Sequence, residues 1–150
     1  MAAALQYCTF CLGDLYLGIE VLQVQEVIRW QQVTRVPLAP ATVTGLINLR
    51  GQIVTAVDLR LRLGLPARDS DRQPMNVVVR TDEGAVSLLV DEIGDVIEPT
   101  AASFEAPPET LPPAARGLIR GIYKLPGRLM LVLDTEQVLS LEPAAAGLGR

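Results

Sequence analysis

Two cysteines three residues apart, in Cys8-Thr9-Phe10-Cys11, are the first side chains in this 150-residue sequence that could do chemistry. A redox dithiol or half of a zinc site has this spacing, but a dithiol needs its first thiolate presented at a helix start. The surrounding run reads as a strand, where residues three apart point to opposite faces, so the two sulfurs straddle the sheet instead of meeting. No second Cys-x-x-Cys and no histidine occur. Imidazole bases, Ser-His and Cys-His nucleophile pairs and His-containing metal sites are therefore out of reach. Asp82-Glu83 and Asp91-Glu92 set acids side by side, whereas acid-base hydrolysis needs two carboxyls converging across a cleft; neighbours on a strand diverge. Gly13, Gly18 and Gly45 stand in isolation, and neither G-x-G-x-x-G nor G-x-x-x-x-G-K-[ST] occurs, so no phosphate-cradling loop is written in. The residues point to a protein that is not an enzyme, with no catalytic residues, no metal and no cofactor.

Glu26 is of another kind. In Val24-Gln25-Glu26-Val27-Ile28, strand alternation puts it on one face with Val24 and Ile28, an acid between apolar neighbours. Arg50, in Asn48-Leu49-Arg50-Gly51, offers a guanidinium of the geometry that suits a carboxylate where solvent is partly excluded. Periodicity leaves two readings open, such a pair or two ordinary exposed charges.

The elements that must carry these residues are mostly strands. Gln6–Leu12 and Tyr16–Val27 are rich in apolar and β-branched residues around the turn dipeptide Gly13-Asp14, which predicts a hairpin. After Pro37-Leu38-Ala39-Pro40, the recurrence of Val43, Leu46 and Ile47 predicts a short helix over 41–48. Gln52–Val57 reads as extended, and Asp58 as the N-cap of a short helix carrying Leu59 and Leu63 and stopped by Gly64. A polar loop over 64–75 precedes strands Asn76–Arg80 and Ala85–Val90, then Ile93–Ile97. Five prolines between 99 and 113 predict an irregular loop over 98–115.

An internal repeat organises this pattern. An offset of 76 lays Gly45, Leu49, Gly51, Asp58 and Leu63 over Gly121, Leu125, Gly127, Asp134 and Leu139; an offset of 69 lays Val21, Glu26, Val27 and Ile28 over Val90, Asp95, Val96 and Ile97. We read the chain, 1–150, as one domain of two β-rich units, about 14–63 and about 84–139. Each unit is too small to bury a comfortable core alone, so the units must pack together and can exchange strands.

Composition bounds the partners. Apolar residues make up 49% and aromatics 4% of the chain, with a net charge of −4, which argues for an aliphatic core and against a basic, base-stacking nucleic-acid surface. The longest uncharged stretch, Val36–Leu49, has 14 residues and two prolines, short of the roughly 20 needed to span a membrane. Two cysteines without a secretory leader fit a cytoplasmic protein. Residues 29–80 sum to +5 and 81–115 to −8, which fits either two solvated faces or complementary docking surfaces.

The segments LGDLYLGIEVLQVQEVIR, VTRVPLAP, GLINLRGQIVTAVDLRLRLGLP, LLVDEIGDVIEP and GLIRGIYKLPGRLMLVLDTEQVL, in this order over about residues 7–140, resemble the CheW family of chemotaxis coupling proteins. The resemblance implies a mainly β fold of two small five-stranded, SH3-like barrels around a shared core, with short helices. It implies a cytoplasmic adapter, free of cofactors, that joins the helical-hairpin tips of chemoreceptors to the regulatory domain of a CheA-type histidine kinase in arrays at the inner membrane. Carried over motif by motif, it implies kinase binding at Val21, Val24 and Gly45 and a receptor-binding groove at Glu26, Arg50, Val77 and Val96. Thr55-Ala56, Ser87 and Pro126 depart from the usual pattern. Service in an array for twitching motility or development, and a thiol redox role for Cys8 and Cys11, are the alternatives.

Overall fold

The computed structural model describes residues 5–37, 43–66, 72–81, 84–100, 103–111 and 113–139. Strands β1 (Tyr7–Leu12) and β2 (Leu15–Glu20) form the predicted hairpin, with Gly13 at φ 57° supplying the left-handed turn residue. The single strand expected over Tyr16–Val27 is broken: a 3-10 turn at Val21–Gln23 separates β2 from β3 (Val24–Ile28). The helix expected over 41–48 is a strand instead. β4 (Val43–Leu49) pairs with β5 (Gln52–Asp58) along its length, while 41 and 42 lie outside the described residues. Gly45, Ile47 and Leu49 are buried and Leu46 is partly so. The inward face has Gly45 where a large apolar side chain would mark the alternation, and Leu46 is an apolar residue on the other face, so Val43, Leu46 and Ile47 mimic helical spacing.

Asp58 does cap α1 (Leu59–Arg62), its Oδ1 accepting from the Arg60 amide at 3.0 Å. Strands β6 (Met75–Thr81), β7 (Gly84–Val90) and β8 (Glu92–Ile97) follow. The proline-rich stretch is less irregular than its composition implied: it holds the two-residue β9 (Phe104–Glu105) and the start of α2 (Pro113–Arg116). Proline is tolerated at a first helical position, where its missing N–H is not needed. β10 (Ile119–Leu125), β11 (Arg128–Leu133) and α3 (Thr135–Leu139) complete the described chain, and the Asp134 Oδ1 accepts from the Gln137 amide at 3.3 Å.

Two sheets result, with strand orders β3-β6-β7-β5-β4 and β8-β1-β2-β11-β10-β9. The repeat maps the first five-strand order onto the first five strands of the second. Even register and irregularities correspond. Val24 faces Val79 as Ile93 faces Phe10, and the bulges in the β4–β5 and β10–β11 pairs fall between Val43 and Gly45 and between Ile119 and Gly121. Each sheet therefore mixes the halves: β1 and β2 sit among second-half strands, and β6 and β7 among first-half strands. In each sheet one join between the halves is antiparallel, β1 with β8 and β3 with β6, and the other parallel, Leu17 beside Leu131 and Val86 beside Thr55.

Each expected barrel is a curled sheet, whose ladder does not close into a full ring among the described residues. How far the curl goes is shown by Glu26 and Arg50. They lie on and beside opposite edge strands of the five-stranded sheet, yet touch at 2.6 Å. Among the described residues, three apolar clusters form the core. Ile47, Val54, Ala56, Val78 and Leu89 lie within one curl; Tyr7, Tyr123, Met130 and Val132 within the other. The largest cluster, including Phe10, Leu17, Ile19, Val57, Val77, Leu88, Leu131 and Leu133, lies between the sheets. Apolar area buried there by both halves is the main force holding them together.

Candidate interaction site

Arg50 occupies a place that costs backbone energy. It stands at φ 55° with Gly51 at φ 84° in the β4–β5 turn, the left-handed pair a tight hairpin requires and one that Asn or Gly fills more easily. Asn48 steadies the turn, its Oδ1 accepting from the Gly51 amide at 2.8 Å. From there the Arg50 Nη1 donates to the Glu26 Oε2 across the seam where the sheet's edges approach. Its hydrogen bond holds the Glu26 carboxyl below its ordinary pKa. The Arg50 side chain is 71% exposed and that of Glu26 19%. This is a rim pair, acid half sheltered and base in water. The repeat puts Asp95 and Pro126 in the corresponding places, so only one of the two seams can carry such a pair.

The residues assigned to a kinase surface divide. Val21 lies in the 3-10 turn and Val24 opens β3; both are partly exposed, and Val24 also packs against the core between the sheets. Gly45 offers no surface: it is buried, and a Cβ there would overlap the Thr34 carbonyl, which bridges to Leu46. Its lack of a side chain permits the close approach of the 33–34 segment to β4. In the groove assignment Val77 matches a position that lines or supports the groove. It is fully buried in the shared core, so it supports the seam from beneath and cannot line a groove. Val96, on edge strand β8, is 56% exposed.

Sequence reasoning missed two features. Leu22, in the 3-10 turn between Val21 and Val24, is 80% exposed; a continuous strand would have hidden its singularity. Arg60 and Asp91 form a sheltered ion pair, Nε to Oδ1 at 2.9 Å and Nη2 to Oδ2 at 2.5 Å, their side chains 16% and 10% exposed. The Gly13 amide also donates to Asp91 at 2.8 Å, and Arg60 Nη1 to the Pro66 carbonyl at 2.9 Å. Nearby Arg62 donates to the carbonyls of Gln137 and Val138, tying α1 to the end of α3. Arg60–Asp91 and Arg72–Glu92 each join the basic segment to the acidic one, so part of the charge asymmetry is used inside the molecule.

Cys8 and Cys11 are free thiols at opposite-facing positions of β1, and burial raises the pKa of both. That is the reverse of an activated dithiol. No helix among the described residues is long and apolar enough to cross a membrane.

Residues 6–142 match the family described as CheW-like domain. The chain is 32% identical over 140 residues to the chemotaxis protein CheW of Klebsiella aerogenes, covering 93% of this chain and 84% of that one. It is 32% identical over 133 residues to the CheW of Bacillus subtilis, with 89% and 85% covered. In three dimensions it is similar to the scaffolding protein CheW of Thermoanaerobacter tengcongensis, with a TM-score of 0.82 over 93% of this chain and 94% of that one at 24% identity.

Proposed function

This chain belongs to the CheW family of chemotaxis scaffold proteins, and from that premise we propose that it couples chemoreceptors to a CheA-type histidine kinase in the cytoplasm, by binding both and transforming neither. A helical-hairpin receptor tip lays an apolar stripe against the exposed edge strand that carries Val96, while Val77 supports the Glu26–Arg50 seam from beneath. Glu26 and Arg50 fix the orientation of that contact. The kinase regulatory domain takes the corner at Val21 and Val24.

The observation that carries this reading is the Arg50–Glu26 pair. An arginine held in a left-handed turn and mostly in water contributes little to stability. A position that costs backbone energy without stabilising the fold is explained by recognition. The twin turn, with Pro126 and Gly127, carries no charge at the matching position.

Titration calorimetry of the full chain against a soluble receptor hairpin fragment, and separately against the CheW-like regulatory domain of a chemotaxis kinase, tests the reading. Binding to each, and a ternary complex when all three are mixed, is expected. Failure to bind either one overturns it. Transmission of receptor state further requires that the contacts differ in energy between receptor states.

A further inference from the structure

The β1–β2 and β10–β11 turns lie side by side at one end of the six-stranded sheet, because β2 and β11 are neighbouring parallel strands. Together with the segment that carries Thr110 they line a cavity of about 570 Å³, within the range of small-molecule sites, roughly 300–1,000 Å³. Leu15, Leu111 and Leu131 give it an apolar floor backed by the core between the sheets. Arg128 and Asp14, both exposed, stand at its mouth. The Arg128 guanidinium sits over the Tyr16 ring, 4.1 Å from the centroid, and forms no ion pair among the described residues. Stacking fixes the cation on the ring face and leaves its N–H donors free. The repeat supplies a control. Its offsets of 69 and 76 set Leu15, Tyr16, Arg128 and Leu131 against Gly84, Ala85, Gln52 and Thr55. The corresponding end of the other sheet therefore has neither the cation on a ring nor the leucine floor, although its strands pair in the same parallel way. The fold does not demand these side chains.

From this asymmetry we propose that the cavity binds a small amphipathic carboxylate, of which a medium-chain fatty acid is the simplest form, its tail on Leu15, Leu111 and Leu131 and its carboxylate accepting from Arg128 at the mouth. The proposal is independent of the adapter reading above. Apolar surface of the tail that leaves water supplies the affinity, and this attraction has no direction of its own. Direction comes from the guanidinium, whose paired N–H groups match the two oxygens of a carboxylate. Arg128 is also the strongest single charge acting on the Cys11 thiol, which lines the same cavity. Asp14 on the same rim repels added negative charge, so a monoanion fits the mouth better than a dianion such as phosphate.

Methyl NMR titration of the full chain with sodium hexanoate, octanoate and decanoate, and with octanol and octylamine as uncharged and cationic counterparts, tests this. Saturable shifts concentrated at Leu15, Leu111 and Leu131 are expected, with affinity rising by up to about fourfold per added methylene. Arg128→Gln should weaken octanoate about three- to tenfold while leaving octanol and the thermal midpoint unchanged. Arg128→Lys, which keeps the charge, should lose less, and Asp14→Asn should lose nothing. Octanol binding as tightly as octanoate, or octylamine binding more tightly, overturns the proposal by removing Arg128 as the headgroup partner. Shifts scattered over exposed leucines such as Leu22, or none at the three cavity leucines, overturn the cavity as the site. Either failure leaves the adapter reading standing, since that reading rests on other residues.

Discussion

Arg60 and Asp91 meet in a two-pronged ion pair at the point where the chain crosses from the five-stranded sheet to the other. The pair joins α1 of the first half to a crossover of the second, and Asp91 also receives the Gly13 amide from the β1–β2 turn. It adds a charged fastening between halves that the exchanged strands already join.

Removing one partner leaves a charge in a site where both side chains are sheltered. Arg60→Ala or Asp91→Ala should each lower stability on the order of 3 kcal/mol. The double replacement Arg60→Met with Asp91→Leu should recover a good part of that loss, because no charge remains to be desolvated. Chemical denaturation of the three variants decides it, and additive losses would show that the two side chains act independently.

The Glu26–Arg50 pair should behave differently. With Arg50 mostly in water, Glu26→Gln and Arg50→Ala should leave the thermal midpoint nearly unchanged while both weaken receptor-fragment binding. A double-mutant cycle on affinity should show clear coupling, and one on stability only a small coupling.

Glu26 also sets a pH dependence. Its folded pKa lies below the ordinary 4.5 because Arg50 hydrogen-bonds the ionised carboxyl. A depressed folded pKa gives a contribution fully present above the unfolded value and lost as pH falls through the folded one. The effect is thus whole at pH 7 and vanishes below the usual carboxylate range. An NMR titration of the Glu26 side chain should move upward toward 4.5 in Arg50→Ala.

Val77 and Val96 offer a clean contrast. Val77 is fully buried and Val96 is 56% exposed. Val77→Ala should cost about 2 kcal/mol, the transfer of two methyls plus the cavity left behind. Val96→Ala should cost almost nothing in stability and reduce affinity for the receptor hairpin. Paired measurements of unfolding and binding check the two together.

Gly45 and Gly121 should resist any side chain. A Cβ at Gly45 would overlap the Thr34 carbonyl, and one at Gly121 the Phe104 ring and the Glu105 carbonyl. Each Gly→Ala replacement should destabilise by about 1–3 kcal/mol. Gly117→Ala, where nothing lies within 4 Å of the new methyl and φ is not positive, should be neutral in the same thermal melt.

The amino-acid sequence determined what depends on local pattern and on chemistry that a residue type permits or forbids. The β-rich halves, the Asp58 cap and its repeat equivalent Asp134, and the offsets of 76 and 69 could all be read from it, because each rests on spacing or on residue type; Glu26 and Arg50 stood out as candidates, but periodicity did not decide whether they pair. The tertiary structure decided the rest. Strands β1 and β2 look the same in sequence whether they pair within their own half or across to β11 and β8; only the long-range ladder chooses, and it chose exchange. β4 hid its alternation because Gly45 stands at an inward position and Leu46 is apolar on the outward face. Val77 and Val96 look alike as valines, but one lies between the sheets and the other on an edge strand. The largest gap is at the corners. Arg60 and Asp91 are 31 residues apart with no common period, and Leu22 read as one more strand residue. Whether such side chains are clasped or exposed follows from how the two sheets cross, a fact of three-dimensional packing that no local periodicity encodes.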